Sequence, residues 1–369
     1  MLQARAGISV LALVALQSHG DAPEEHLSYR VDAEFQSPSF SRELRRQGVE
    51  LVRLVTNPLP LLQADDEDRL KAIVQILEVA DSFVASGLAV VVDLHFWSPN
   101  GDATRKKIFL ERPLREAFKR GVGELAFQLA GTHEAQVALE LLNEPPPCND
   151  VGYDWTQLQV SLVADIRRFA SSLPIVVTGC GGQLDGLLQL RGIDFGDPNL
   201  MYSFHFYEPF AYTHQSAFYG VPGYLVPYPP DKQFSLSAAL PSSDQIDPKR
   251  SRYAKNDIAR YLNSSFSKDS IAERLSAVAK WADLRRIPRR RIFMGEWGAV
   301  IGPVPRDEGP RKSELRWLTD VKNSLSSLDF KHAFWLFPRQ TSYDYDPEKR
   351  WLRDDVADAI GLVRQDRYR

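Results

Sequence analysis

Ile8-Ser9-Val10-Leu11-Ala12-Leu13-Val14-Ala15-Leu16 is the stretch on which the architecture turns. It has two readings. Behind Arg5 it resembles the short apolar core of a secretory signal. It also reads as a fully buried β-strand, apolar except at Ser9. The flanks suit a signal poorly: one Arg and no Lys precede it, and Gln17-Ser18-His19-Gly20 is a weak small-residue cleavage site. The rest of the chain decides. Runs at 49–55, 88–95, 136–142, 174–178, 199–206, 291–295 and 331–336 are rich in Val, Ile, Leu and Phe with little alternation, as in parallel strands buried on both faces. That makes seven, and a closed barrel of this class needs eight. Residues 8–16 are therefore read as strand one. Export is expected only if the natural precursor is longer.

Helical stretches separate the strand runs: Asp66 to Ser86, Pro113 to Ala130, Trp155 to Ser171, Ile271 to Leu284, Glu314 to Leu328 and Asp354 to Arg364. Asp65-Asp66 with Glu67, Pro113, and Ser313 ahead of Glu314 are start signals. Gly87 and Gly131 stand where C-terminal caps belong. Alternating strands and helices argue for βαβ units with right-handed crossovers. The expected fold is α/β, a (β/α)8 TIM barrel, forming one domain over residues 1–369. The connection after strand six is long, from Glu208 to about Lys268, with Pro222, Pro227, Pro229, Pro230 and Pro241. A loop of this length is usually functional or disordered. It is read as cleft wall over the barrel mouth, with a short helix near Tyr253 to Leu262.

The composition, 44% hydrophobic and 25% charged over 369 residues, is that of a globular chain with a sizeable core. A net charge of -3 gives no electrostatic footprint for nucleic acid or a membrane surface. The basic clusters Arg285-Arg286 and Arg289-Arg290-Arg291 are read as a solvated face. After the first twenty residues no apolar run is long enough to span a bilayer. Cys148 and Cys180 lie just beyond neighbouring strand ends, so a bridge is geometrically open, but free thiols are expected. A monomer is expected.

Two glutamates stand where strands run out. Glu144 follows Asn143 and precedes Pro145, which forces extended backbone and ends the strand. Glu296 lies in Gly295-Glu296-Trp297-Gly298. Parallel barrels collect side chains from several strand ends at one mouth, and cleavage of a glycosidic bond uses two carboxyl groups facing across one sugar. Other polar residues fall at the same ends. Arg53 sits in an apolar run, where an unpaired charge is costly. His95 ends strand three, and His205 and Tyr207 share one face of strand six by period two. Trp335 ends strand eight and offers an indole face to a sugar ring. Trp97, Trp155, Phe210, Tyr212 and Trp297 are read as an extended stacking track.

This set resembles glycoside hydrolase family 5, the cellulase-type family of the retaining clan A glycosidases, over nearly the whole chain. The resemblance implies Glu144 as acid/base, Glu296 as nucleophile, and Arg53, His95, Asn143, His205, Tyr207 and Trp335 as substrate-binding residues. It implies double displacement without a metal or organic cofactor, on a polysaccharide or oligosaccharide. The nearness of Glu296 is expected to raise the Glu144 pKa. A β-1,4-glucan is the favoured substrate. Mannan, β-1,3-glucan, a bacterial exopolysaccharide and a catalytically inactive carbohydrate-binding barrel are the alternatives.

Overall fold

A computed structural model describes residues 6–12, 38–96, 99–133, 136–147, 155–214, 226–234, 256–299, 308–337, 345–346, 348–349 and 351–362. Eight parallel strands close in chain order: β1 (Ala6–Ala12), β2 (Leu51–Thr56), β3 (Ala89–Leu94), β4 (Val137–Glu140), β5 (Ile175–Gln183), β6 (Leu200–Phe206), β7 (Ile292–Trp297) and β8 (Lys331–Phe337). The stretch with two readings is a barrel strand. β1 pairs with β2 from Gly7 opposite Leu51 to Ala12 opposite Thr56, and with β8 at Gly7 opposite Ala333. It begins two residues earlier than expected; residues 13–16 lie outside the described set. β1 is the seam of the barrel, so removing residues 1–20 would leave β2 and β8 as open edges. Loss of the cooperative thermal transition is the expected result, read by circular dichroism. A truncated chain that melts cooperatively and keeps activity would restore the leader reading.

The helices between strands have local causes. Asp65 accepts from the backbone N–H of Glu67 and Asp68 at 2.9 and 3.1 Å and starts the helix Asp66–Val84. Such a cap contributes about 1 kcal/mol. Gly87 follows with φ +79°, the left-handed turn that closes a helix. Ser267 and Ser270 cap Lys268–Leu284 reciprocally. Two expected boundaries move. Gly131 lies inside Arg112–His133, and Ser313 lies inside Glu308–Ser326, where its hydroxyl instead accepts from the Tyr228 backbone N–H. The helices Pro38–Arg46 and Pro99–Leu110 fall outside the stretches expected to be helical.

Inside the bore, period two organises the side chains. Leu51, Val91, Ala138, Val176, Met201, Phe293 and Ala333, one from each of β2 to β8, form a separate apolar cluster. Two residues further along each strand stand Arg53, Asp93, Glu140, Thr178, Ser203, Gly295 and Trp335. The bore therefore changes from hydrocarbon to polar groups in one step toward the C-terminal mouth. The larger core lies between strands and helices.

The long connection is described only in part. Residues 256–262 are helical, near the expected position. Tyr228, Tyr261 and Trp317 each pack against Tyr212 as buried core, not as cleft wall. Phe218, Tyr219 and Tyr224 lie outside the described residues. Arg291 is also buried rather than solvated. It donates to the Leu200 carbonyl at 2.7 Å and sits over the Tyr202 ring. Among the described residues no helix is long and apolar enough to cross a membrane.

Candidate active site

Arg53 is the hub of the polar layer. It is wholly buried. Its Nε and Nη2 donate to the two Glu140 oxygens at 2.7 and 3.0 Å, Nη2 also reaches Asn143 Oδ1 at 2.9 Å and Asp93 Oδ2 at 3.0 Å, and Nη1 donates to Glu296 Oε1 at 2.8 Å. One guanidinium thus faces three carboxylates. Burial and the crowding of negative charge have a visible effect. Burial drives the Asp93 pKa up to about 6 against the pull of Arg53, and burial likewise raises Glu140. Asp93 and Glu140 had not been singled out from the sequence. A carboxylate inside an apolar strand was the signal, since such a group survives only when paired.

The orientation of Asn143 follows from its neighbours. Burial pulls His95 down to about 4, so the ring is neutral near pH 7. Its Nδ1 lies 3.0 Å from Asp93 Oδ2 and its Nε2 lies 3.0 Å from Asn143 Nδ2. Asn143 Oδ1 is already taken by Arg53, so its nitrogen donates to Nε2 and the His95 proton sits on Nδ1. Among the described residues nothing accepts the second N–H of Asn143, which is left for a ligand. Trp335 stacks on His95 at 5.5 Å and 18°, half-buried beside the hub.

Glu296 is held at both oxygens. Arg53 donates to Oε1, and the Tyr207 hydroxyl donates to Oε2 at 2.8 Å. Burial and the facing carboxylates raise the Tyr207 pKa, which keeps the phenol a donor. The register explains the placement: Phe204 pairs with Met294, but His205 pairs with Glu296, so Gly295 is the extra residue of a bulge. A Cβ on Gly295 would come 2.8 Å from Ser203 Oγ and 3.4 Å from the His205 ring. Only glycine lets the strand pass so close while turning Glu296 inward.

Glu144 lies across from it with 34% of its side chain exposed. Its backbone sits at φ +35° and not in the extended conformation expected ahead of Pro145, and β4 has already ended at Glu140; this left-handed value costs a non-glycine residue roughly 1–3 kcal/mol. The Arg105 guanidinium holds its carbonyl. Its Oε1 accepts from His205 Nδ1 at 2.8 Å and from Gln183 Nε2 at 2.8 Å. Burial opposes ionisation of Glu144, but the His205 hydrogen bond and charge outweigh it and draw the pKa down to about 2. This reverses the expected upward shift: a cationic donor at hydrogen-bond distance outweighs a carboxylate further off. Burial lowers His205, yet Glu296 and Glu144 together raise it.

Ligand atoms of Glu144, His205 and Glu296 lie within 4.8 Å of one another, a spacing that also suits a cation. Arg53 already occupies Glu296 Oε1 and His205 already occupies Glu144 Oε1, so a cation here must compete with a fixed positive charge. All eight residues singled out from the sequence gather at this mouth. The stacking track does not. Trp155, Trp297 and Tyr212 are wholly buried in the core, Phe210 is exposed and stacked on His214, and Trp97 lies outside the described residues. Trp297 follows an inward Glu296, so period two sends it outward to the helices. Gln183 and Arg105 went unnoticed, because each depends on a fold-made meeting. Cys180 is disulfide-bonded, not a free thiol, and the only other cysteine in the sequence, Cys148, lies outside the described residues. The neighbouring of β4 and β5 brings that side of the mouth together.

Residues 22–337 match the model of the cellulase family, glycosyl hydrolase family 5. Endoglucanase 3 of Fibrobacter succinogenes is 25% identical over 271 residues, 70% of this chain, and the chain spans only 38% of that relative's length. Endoglucanase C of Acetivibrio thermocellus is 22% identical over 85% of this chain and 87% of its own. Among solved structures, the cellulose synthase subunit Z of Clostridioides difficile aligns with TM-score 0.64 and 21% identity over 97% of this chain and all of its own. Endoglucanase Cel5A of Thermotoga maritima aligns with TM-score 0.64 and 19% identity over 89% of this chain and 90% of its own.

Proposed function

This chain belongs to the cellulase family, glycosyl hydrolase family 5, and from that premise we propose that it is a retaining endo-β-glycosidase that cleaves β-1,4-glucan. One observation carries the reading. Oxygens of Glu144, in the loop just past β4, and Glu296, at the end of β7, lie within 4.8 Å of one another at the mouth. Retaining glycosidases hold their carboxyl groups about 5–5.5 Å apart, against about 6.5–9.5 Å when a water must fit between. The relatives named endoglucanases support the glucan and the internal mode of attack.

In this reading Glu296 attacks the anomeric carbon, with Arg53 and Tyr207 aiming its oxygens. Glu144 protonates the departing oxygen. A bound sugar covers the exposed part of Glu144, and desolvation raises the pKa of a carboxyl group, which opposes the His205 effect and readies the acid. The deprotonated Glu144 then takes a proton from the water that releases the glycosyl-enzyme. Asn143 offers its remaining N–H to a sugar hydroxyl, and His95 fixes that amide. His205 orients Glu144, and Trp335 stacks on the ring. An intact polar set argues against an inactive carbohydrate-binding barrel.

The test is a reducing-end assay over β-1,4-glucan, β-1,3-glucan, mannan and xylan, with the first product's anomer followed by NMR. Rapid chain shortening of β-1,4-glucan with a β product is expected; an α product ends the reading. Glu144→Gln is expected to slow poor leaving groups by about 10²–10⁴-fold, the usual range for a general acid, and activated aryl glycosides far less in their first step. Equal loss on all leaving groups removes the acid role.

A further inference from the structure

Glu144 has two oxygens, and the structure treats them differently. Oε1 accepts two hydrogen bonds, from His205 and from Gln183. Oε2 accepts none from the described residues. Each carboxylate oxygen has two lone pairs, so Oε1 is saturated when His205 Nδ1 carries its proton.

The presence of Gln183 at this oxygen depends on an unusual piece of β5. Thr178 pairs with Ser203 of β6, and the next pairing is Gln183 with His205. Four residues, Gly179-Cys180-Gly181-Gly182, are thus thrown out of register so that the two donors stand opposite one another. Gly181 and Gly182 have φ +76° and +72°, and the Gly181 N–H bonds the Pro145 carbonyl at 2.9 Å. A Cβ on Gly182 would lie 2.9 Å from Glu144 Cγ. The excursion is tied down at Cys180 by its disulfide. It therefore lies directly against the glutamate and delivers an amide donor to one of its oxygens.

We propose that Gln183 is a positioning residue that saturates Oε1 of Glu144 and so confines the transferable proton to Oε2, the oxygen left for the glycosidic bond. Without the amide donor, Oε1 becomes a second site for the proton, turned toward β5 and β6 and away from the leaving group. Part of the protonated enzyme is then unproductive. Losing a donor to the anion also raises the pKa of the glutamate. The charged and titratable groups facing Glu144 are His205 from β6, Glu296 from β7, His95 from the end of β3 and Arg105 from the helix Pro99–Leu110, with Arg53 and Asp93 beneath. All of these are retained when only Gln183 changes.

This inference rests on the acid role of Glu144, and the experiment separates the two. Gln183→Met keeps the length and removes the donor; Gln183→Glu keeps the shape and adds a like charge. Each is assayed on aryl β-glycosides of graded leaving-group pKa, of whichever glycan the unmodified enzyme cleaves. For Gln183→Met we expect about a tenfold loss of kcat/KM on poor leaving groups, below twofold on dinitrophenyl glycosides, and an alkaline limb of the kcat profile, which reports the substrate-bound enzyme, moved to higher pH. The Gln183→Glu limb should move further. Melting curves check folding, and if Gln183→Met does not fold, the Gln183→Glu profile decides. An unmoved limb with loss independent of leaving group, or no loss at all, overturns the proposal. Failure of Glu144→Gln to show leaving-group dependence instead overturns the acid role itself.

Discussion

Glu296→Gln is expected to lower turnover by roughly 10⁴–10⁶-fold, the scale seen when a covalent nucleophile is removed. An amide cannot form the glycosyl-enzyme, and among the described residues no carboxylate other than Glu144, the acid/base, reaches the mouth. Glu140 and Asp93 are buried in the layer beneath, bound to Arg53. The substitution is isosteric, and the Tyr207 hydroxyl still finds an acceptor at the amide oxygen. Arg53 keeps Glu140 and Asp93, so the fold should survive with a melting temperature close to that of the parent. The loss should fall on good and poor leaving groups alike, because every substrate must be attacked by the missing carboxylate. That uniformity distinguishes it from Glu144→Gln. Turnover within about tenfold of the parent would remove the nucleophile assignment.

Arg53→Met should be the most destabilising single change in the site. It leaves Asp93, Glu140 and Glu296 buried without their shared cation, and removing one partner of a buried ion pair costs about 3–5 kcal/mol. The sign with pH is definite. In the parent, burial already lifts Asp93 to about 6 and raises Glu140. Without the guanidinium both rise further, so the folded state holds its protons more tightly than the unfolded chain does. Stability from such groups is present at low pH and is lost as pH rises through the folded pKa. The variant should therefore unfold more readily relative to the parent at pH 8 than at pH 5, in urea titrations at the two values. A variant equally stable at both, or as active as the parent, would show that the hub is dispensable.

The wholly buried tryptophans show where reading along the chain fails. Trp297 stands beside a site residue in sequence, yet alternation turns it away from the mouth to pack against Trp317 and Phe334. Proximity in sequence suggested a stacking surface; strand parity contradicted it. Asp93 and Glu140 were legible by that same parity, two residues beyond an inward apolar side chain in each strand. Gln183 was not. Its position depends on a register jump of three residues, and no local pattern states which strand the chain rejoins or opposite which residue.

The amino-acid sequence alone determined the eight-stranded barrel and the eight polar residues at its mouth. Buried parallel strands carry a continuous apolar signal, and a charge at the end of such a run has few structural reasons to be there. Only the folded chain decided the protonation preferences of Glu144 and Asp93, the donors to each carboxylate oxygen, the bonding state of Cys180 and the fate of the aromatic track. Those depend on distances of a few ångströms between residues tens to hundreds of positions apart. Electrostatic and hydrogen-bond energies change steeply over that range, while sequence spacing carries no information about it.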